Sequence, residues 1–174
     1  MSGRIIGVAI LLTALVAGVA LYYLQIYAYY DEVTETEVTL VSLATGEPEA
    51  IAADAIRAID ADSSPIRYRA CFETPLSLAM LSESYQLLDT ATPRNAPAWF
   101  DCFDASAIGA EIEAGTALPF VGAKNVFYGV DRIVAITQDG RGYVWHELND
   151  CGEKAYDGTV VGEACPPRPG TSGD

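Results

Sequence analysis

The stretch ITQDGRGYVW, residues 136–145, contains the strongest hairpin signal in the chain. Apolar and β-branched residues stand on both sides of Asp139-Gly140, a pair suited to the positive φ angles of a tight hairpin turn. The sequence therefore predicts strands over 132–137 and 142–148. Working upstream, Ala117 to Val121 and Asn125 to Val130 read as two more strands, so the final third of the chain is β. Downstream, Asp157-Gly158 marks a second tight turn inside DCGEKAYDGTVVGEAC, residues 150–165.

The middle of the chain is mixed. Asp104 is placed to cap a helix over 105–114, in which Ile108 and Ile112 lie one turn apart, and Gly115 suits the residue that ends it. Thr74-Pro75 reads as the start of a short helix running to Glu83, with Met80 and Leu81 inward. DTATPRNAPA, residues 89–98, is a loop with two prolines. Nearer the start, Val33 to Leu43 alternates like one strand, ATGEPEA (44–50) is a turn, and Ile66 to Phe72 alternates apolar residues with Arg67 and Arg69. The sum is an α+β fold: an antiparallel sheet carrying two short helices. The expected divisions are an anchor over 1–30, a domain over 31–165 and a disordered tail over 166–174.

Four cysteines, Cys71, Cys102, Cys151 and Cys165, make no CxxC motif, and their gaps of 31, 49 and 14 residues match no zinc-finger spacing. An even count outside the cytoplasm implies two disulfides. The turn at Asp157-Gly158 brings Cys151 and Cys165 face to face, which leaves Cys71 for Cys102. A redox-active pair is the competing reading, and it lacks the low-pKa setting that a CxxC motif supplies.

From Ile5 to Leu24 the chain has twenty residues without a charge. As a helix this run is about 30 Å long, the thickness of a bilayer's hydrocarbon core. Five of the ten tyrosines follow, Tyr22, Tyr23, Tyr27, Tyr29 and Tyr30, and then Asp31 and Glu32. Tyrosine has an apolar ring and a wet hydroxyl, so the cluster reads as an interfacial belt at the exit from the membrane. A cleaved signal peptide ending near Gly18-Val19-Ala20 is the alternative. The length of the apolar run, its continuation into the belt and the single Arg4 ahead of it favour an uncleaved anchor. Gly3, Gly7, Ala14 and Gly18 share one stripe of this helix, a face on which another membrane helix can approach closely.

All 24 acidic side chains follow residue 30, and of the ten basic ones only Arg4 precedes it, so residues 31–174 carry a net charge of −15. Arg4 places the N-terminus in the cytoplasm and the rest of the chain outside it. The acidic surface repels nucleic acid and anionic lipid and attracts basic proteins. Chemistry is sparse. His146 is the only histidine, and alternation from Trp145 puts it on the solvent face. Glu111 with Glu113 and Asp101 with Asp104 read as helix-start or solvated acids. A Gly-x-Ser-x-Gly elbow and a nucleotide-binding glycine loop are both missing, and two methionines do not make a copper site. The sequence thus calls for no catalytic residue, cofactor or metal.

SSPIRYRACFETPLSLAML (63–81), WFDCFDASAIGAEIEAG (99–115), DGRGYVWHELNDCGE (139–153) and the tyrosine-rich anchor resemble an uncharacterised family of short single-pass membrane proteins of alphaproteobacteria. The resemblance implies an inner-membrane protein with a periplasmic domain and transfers no activity. The expected role is an accessory or assembly subunit of a respiratory or photosynthetic membrane complex. It would be held by an integral-membrane partner and would dock a basic periplasmic protein such as a cytochrome c. The competing expectation is a periplasmic enzyme, redox factor or ligand sensor built on the cysteines, His146 and nearby acids.

Overall fold

Asp139 and Gly140 turn the chain between β7 (Val130–Thr137) and β8 (Arg141–Leu148), which pair antiparallel with Val134 opposite Val144. Gly140 sits at φ +85°, and its carbonyl accepts the Thr74 amide at 2.8 Å. These strands are the centre of a six-stranded sheet in this computed structural model, which describes residues 3–27, 29–35 and 37–167. Residues 168–174 of the expected disordered tail lie outside the described residues. On one side of the pair comes β6 (Ala117–Phe127). On the other come β5 (Arg69–Glu73), β4 (Asp54–Asp60) and the edge strand β1 (Asp31–Val33), for an order β1-β4-β5-β8-β7-β6. Every pairing is antiparallel.

The expected strand over 33–43 is divided. Polar Thr34 and Glu35 follow β1, and pairing resumes in a second sheet, where β2 (Val38–Val41) meets β3 (Pro48–Ile51). A continuous alternation cannot reveal that the partner strand changes midway. Likewise, the separate strand expected over 125–130 is the irregular end of β6, with Asn125 at φ +51°, and Tyr128-Gly129 makes the turn into β7.

Three helices complete the α+β fold. α1 (Gly3–Ile26) is the apolar N-terminal run. α2 (Leu78–Ser84) starts later than expected, because Ser77, not Thr74, is its N-cap and accepts the Met80 amide. Thr74 instead donates to the Ala52 carbonyl at 2.7 Å, tying the end of β5 to the link between β3 and β4. Leu81 is buried while Met80 is 44% exposed, so only one of the two expected inward residues faces the core. α3 (Ala105–Glu113) begins where expected: Asp104 accepts the Ser106 and Ala107 amides, and Gly115 follows at φ +70°.

Both faces of the large sheet are covered. The β2–β3 pair and α2 lie over Ala70, Phe72, Phe120, Val134, Ile136 and Val144. The segment 88–103 and α3 lie over Ile59, Cys71, Ile133, Ala135, Tyr143 and Trp145. A sheet buried on both sides has strands that are apolar in consecutive positions, which is what Ile133 to Ile136 shows.

Candidate functional site

Double coverage decides where the chemically capable side chains go. Because Trp145 and His146 point to opposite faces and both faces are covered, His146 is buried, at 1% exposure, against the expectation of a solvent face. Its ring stacks on Tyr68, with centroids 4.8 Å apart, and meets Phe127 edge-on. Nδ1 lies 2.7 Å from the Pro65 carbonyl, which can only accept, so Nδ1 carries the proton. Nε2 accepts from Arg132 Nε at 3.3 Å. Burial above all, with the Arg132 and Arg69 charges behind it, pushes the imidazole down to about 4, although the Pro65 contact opposes this. His146 is therefore a neutral linker between β8, the 61–66 loop and Arg132.

On the other face, Arg69 is also buried. It donates to four backbone carbonyls: Arg94 (2.8 Å), Ile66 (2.9 Å), Tyr68 (2.6 Å) and Asn95 (3.1 Å). Its guanidinium lies over the Phe103 ring. Desolvation lowers its pKa to about 10, so it remains charged at neutral pH. Arg69 thus pins the 88–103 segment, which has little regular structure, onto the sheet. The signal for this is Cys71. A half-cystine two residues along the strand shares Arg69's face, and a face that carries a disulfide to another segment is roofed by that segment.

Two disulfides are present. Cys71–Cys102 joins β5 to the roof, with Cα atoms 6.3 Å apart, and Cys151–Cys165 closes the C-terminal hairpin at 4.9 Å. A cavity of about 430 Å³ opens beside the first, bounded by Arg57, Arg141, Gly142 and Tyr143. Its cations are already engaged. Arg57 pairs with Asp101 at 3.0 Å and lies over Phe100. Arg141 pairs with Asp139 and Glu111 and donates to the Tyr143 hydroxyl at 2.7 Å. The Thr137 hydroxyl, and then Arg141, hold the Asp139 carboxyl down at about 2. Cys71 and His146 point to opposite faces of the sheet, so these two residues of the competing expectation do not converge. Among the described residues, no three His, Cys, Asp or Glu side chains gather as a metal site.

The N-terminal helix is open where the domain is closed. No residue of α1 is buried, its most apolar 18-residue stretch has a mean hydropathy of 2.5, and it is long and apolar enough to cross a membrane. A methyl group added at Gly3, Gly7 or Gly18 would touch nothing, so this chain leaves the stripe with Ala14 uncovered. Tyr22, Tyr23, Tyr27 and Tyr29 are exposed, and Tyr23 and Tyr27 stack at 5.9 Å. Tyr30 differs from them: it packs against the second core and belongs to the domain. Two contacts not anticipated from the sequence join anchor to domain. Trp99 Nε1 donates to the Ile26 carbonyl at 2.8 Å, and the Arg67 guanidinium lies 5.7 Å from the centres of both the Tyr29 and Tyr30 rings.

A model for a family of unknown function, DUF6446, matches residues 38–166, from the start of β2 to just past Cys165, and the chain belongs to that family. No curated protein and no solved structure matches it.

Proposed function

We propose that this family member is a membrane-anchored accessory or assembly subunit of a bacterial inner-membrane complex, respiratory or photosynthetic, acting by protein–protein docking with its domain in the periplasm. The observation that carries this reading is the division of labour among side chains. Arg69 and Cys71 are spent on holding segment 88–103 to the sheet and His146 on tying in the 61–66 loop, whereas α1 and the acidic surface are left open. An uncovered small-residue stripe suits an integral-membrane partner. Asp54, Glu73 and Asp139 gather around a cleft at the end of the sheet opposite the anchor, and the domain's charge of −15 suits a basic periplasmic protein such as a cytochrome c. Disulfides fit an oxidising compartment.

The test is native purification of a tagged full-length copy in mild detergent. A stoichiometric membrane partner that is lost from the Gly7→Leu and Gly18→Leu variants is the expected result. A protein that migrates alone overturns the reading. The cavity beside Cys71–Cys102 favours a second reading, a redox or ligand-binding module. For this, a Cys71→Ser, Cys102→Ser variant that stays folded would have to lose function while keeping its partner.

A further inference from the structure

The strand register sorts the ends of the sheet. Asp31 pairs with Asp60, Ile59 with Arg69, Arg69 with Trp145, and Leu148 with Val130, which is itself paired to Phe127. The start of β1, the 61–66 loop, the end of β8 and the β6–β7 turn therefore all lie at one end. That is also the end from which α1 emerges. Only residues 27–30 separate Ile26 from β1, too few to carry the domain far from the membrane surface. The Trp99 and Arg67 contacts brace the same junction.

This end carries large apolar side chains in the open. Leu148 is 63% exposed, Phe127 49% and Tyr128 39%. Phe127 and Tyr128 form one wall of a groove of about 390 Å³ whose other wall is Pro65 and Ala61, with Asp60 and Asp62 at its margin. Phe127 is fixed from behind by its edge contact with the buried His146, so the ring is held at the surface and cannot fold inward. Leu43, Met80 and Leu87 are exposed singly elsewhere on the domain, but Phe127, Tyr128 and Leu148 gather at the end that also holds the membrane exit.

We propose that Phe127, Tyr128 and Leu148 are a second membrane contact, resting in the interfacial layer of the bilayer beside the tyrosine belt. The occupant is lipid because the connection from α1 is short and the groove lies at the same end of the sheet as the tyrosines that close α1. Its headgroups are zwitterionic, since Asp60 and Asp62 at the groove repel anionic ones. With two contacts the domain does not swivel on its anchor, and one face of the acidic cleft is kept turned toward a partner. The proposal rests on α1 spanning the membrane, and its test separates the two ideas.

The full-length protein is reconstituted in phosphatidylcholine vesicles that contain an alkyne-tagged phosphatidylcholine. The photoreactive p-benzoylphenylalanine replaces, one at a time, Phe127, Leu148, Gln138 at the far end of the sheet, and Tyr22 in the belt. Tagged lipid on positions 127, 148 and 22, with none on 138, is the expected result. Lipid on 22 alone overturns the second contact and leaves the anchor standing. An unlabelled position 22 removes the anchor and the proposal together, and equal labelling of 138 and 127 also overturns the proposal, because the contact then has no preferred end.

Discussion

Arg132 donates from Nε to His146 Nε2, and the acceptor must be a neutral imidazole. Because the ring is buried and Nδ1–H is spent on Pro65, protonation would set a second cation against the guanidinium with no carboxylate among the partners of the ring. Burial above all, with the Arg132 and Arg69 charges adding to it, lowers the pKa from 6.5 to about 4 against the opposing Pro65 hydrogen bond. Between these values the unfolded chain takes up a proton and the folded chain does not. Stability is therefore full above pH 6.5 and declines as pH falls toward 4, by roughly 3 kcal/mol for this one group. Asp60, whose carboxyl burial raises, works in the opposite sense at the acid end. Urea denaturation from pH 7.5 to 4 checks this. The wild type should lose stability more steeply than His146→Gln over that interval, and parallel curves would refute the neutral-histidine account.

The two disulfides should differ in global effect. Cys71–Cys102 spans 31 residues and fixes the roof of the second core. Its removal by paired serine substitution should cost about 4 kcal/mol in the chain-entropy model. Cys151–Cys165 closes a hairpin whose residues are largely exposed, including Tyr156, Val160 and Val161. A comparable loop entropy is then lost only locally, and the midpoint of global unfolding should move little. Denaturation of the two double variants side by side decides this.

Trp99→Phe keeps the aromatic packing and deletes the donor to the Ile26 carbonyl. One exposed-side hydrogen bond is worth about 1 kcal/mol, equivalent to roughly a fivefold change in a local opening equilibrium. Hydrogen exchange of the β1 amides should speed up by about that factor, while exchange in β7 and β8 stays unchanged. Equal acceleration throughout the sheet would mean that Trp99 supports the core and does not couple it to the anchor.

Gly142 lies against the ring of Phe72, and a methyl group at this position would fall within that ring. Gly142→Ala should destabilise the domain by about 1–3 kcal/mol, as overpacking of a closed core does. Pairing it with Phe72→Leu should recover part of the loss, a coupling that thermal denaturation of the four-member cycle will read.

Local signals and long-range placement were unequally legible. Asp139-Gly140 announces its hairpin, and Asp104 with Gly115 brackets α3, because turns and caps are set by a few neighbouring residues. What covers a sheet is set by segments distant in sequence, and here the errors collect. His146 reads as a surface residue because alternation assumes one wet face, and the burial of Arg69 has no signal in the alternation, because segment 88–103 and the 61–66 loop close over the sheet without any periodic pattern of their own. The disulfide framework was readable from one turn and a count of four, while the Arg57, Arg141 and Tyr143 cavity beside it required three strands to be brought together. The Trp99–Ile26 link joins residues 73 positions apart and has no local signature at all.

Strand length in the large sheet also sets a vertical reach. β8 runs from Arg141 to Leu148, and eight extended residues span at most about 25 Å. If the Leu148 end lies at the lipid, the Asp54, Glu73 and Asp139 cleft stands about that far above it. Short interhelical loops of a membrane protein do not rise to such a height. A folded soluble protein of about 100 residues, roughly 30 Å across, does so simply by lying on the bilayer. In the proposed arrangement the sheet would act as a gauge of partner stature, admitting at its top a globular protein that grazes the membrane and passing over anything flatter.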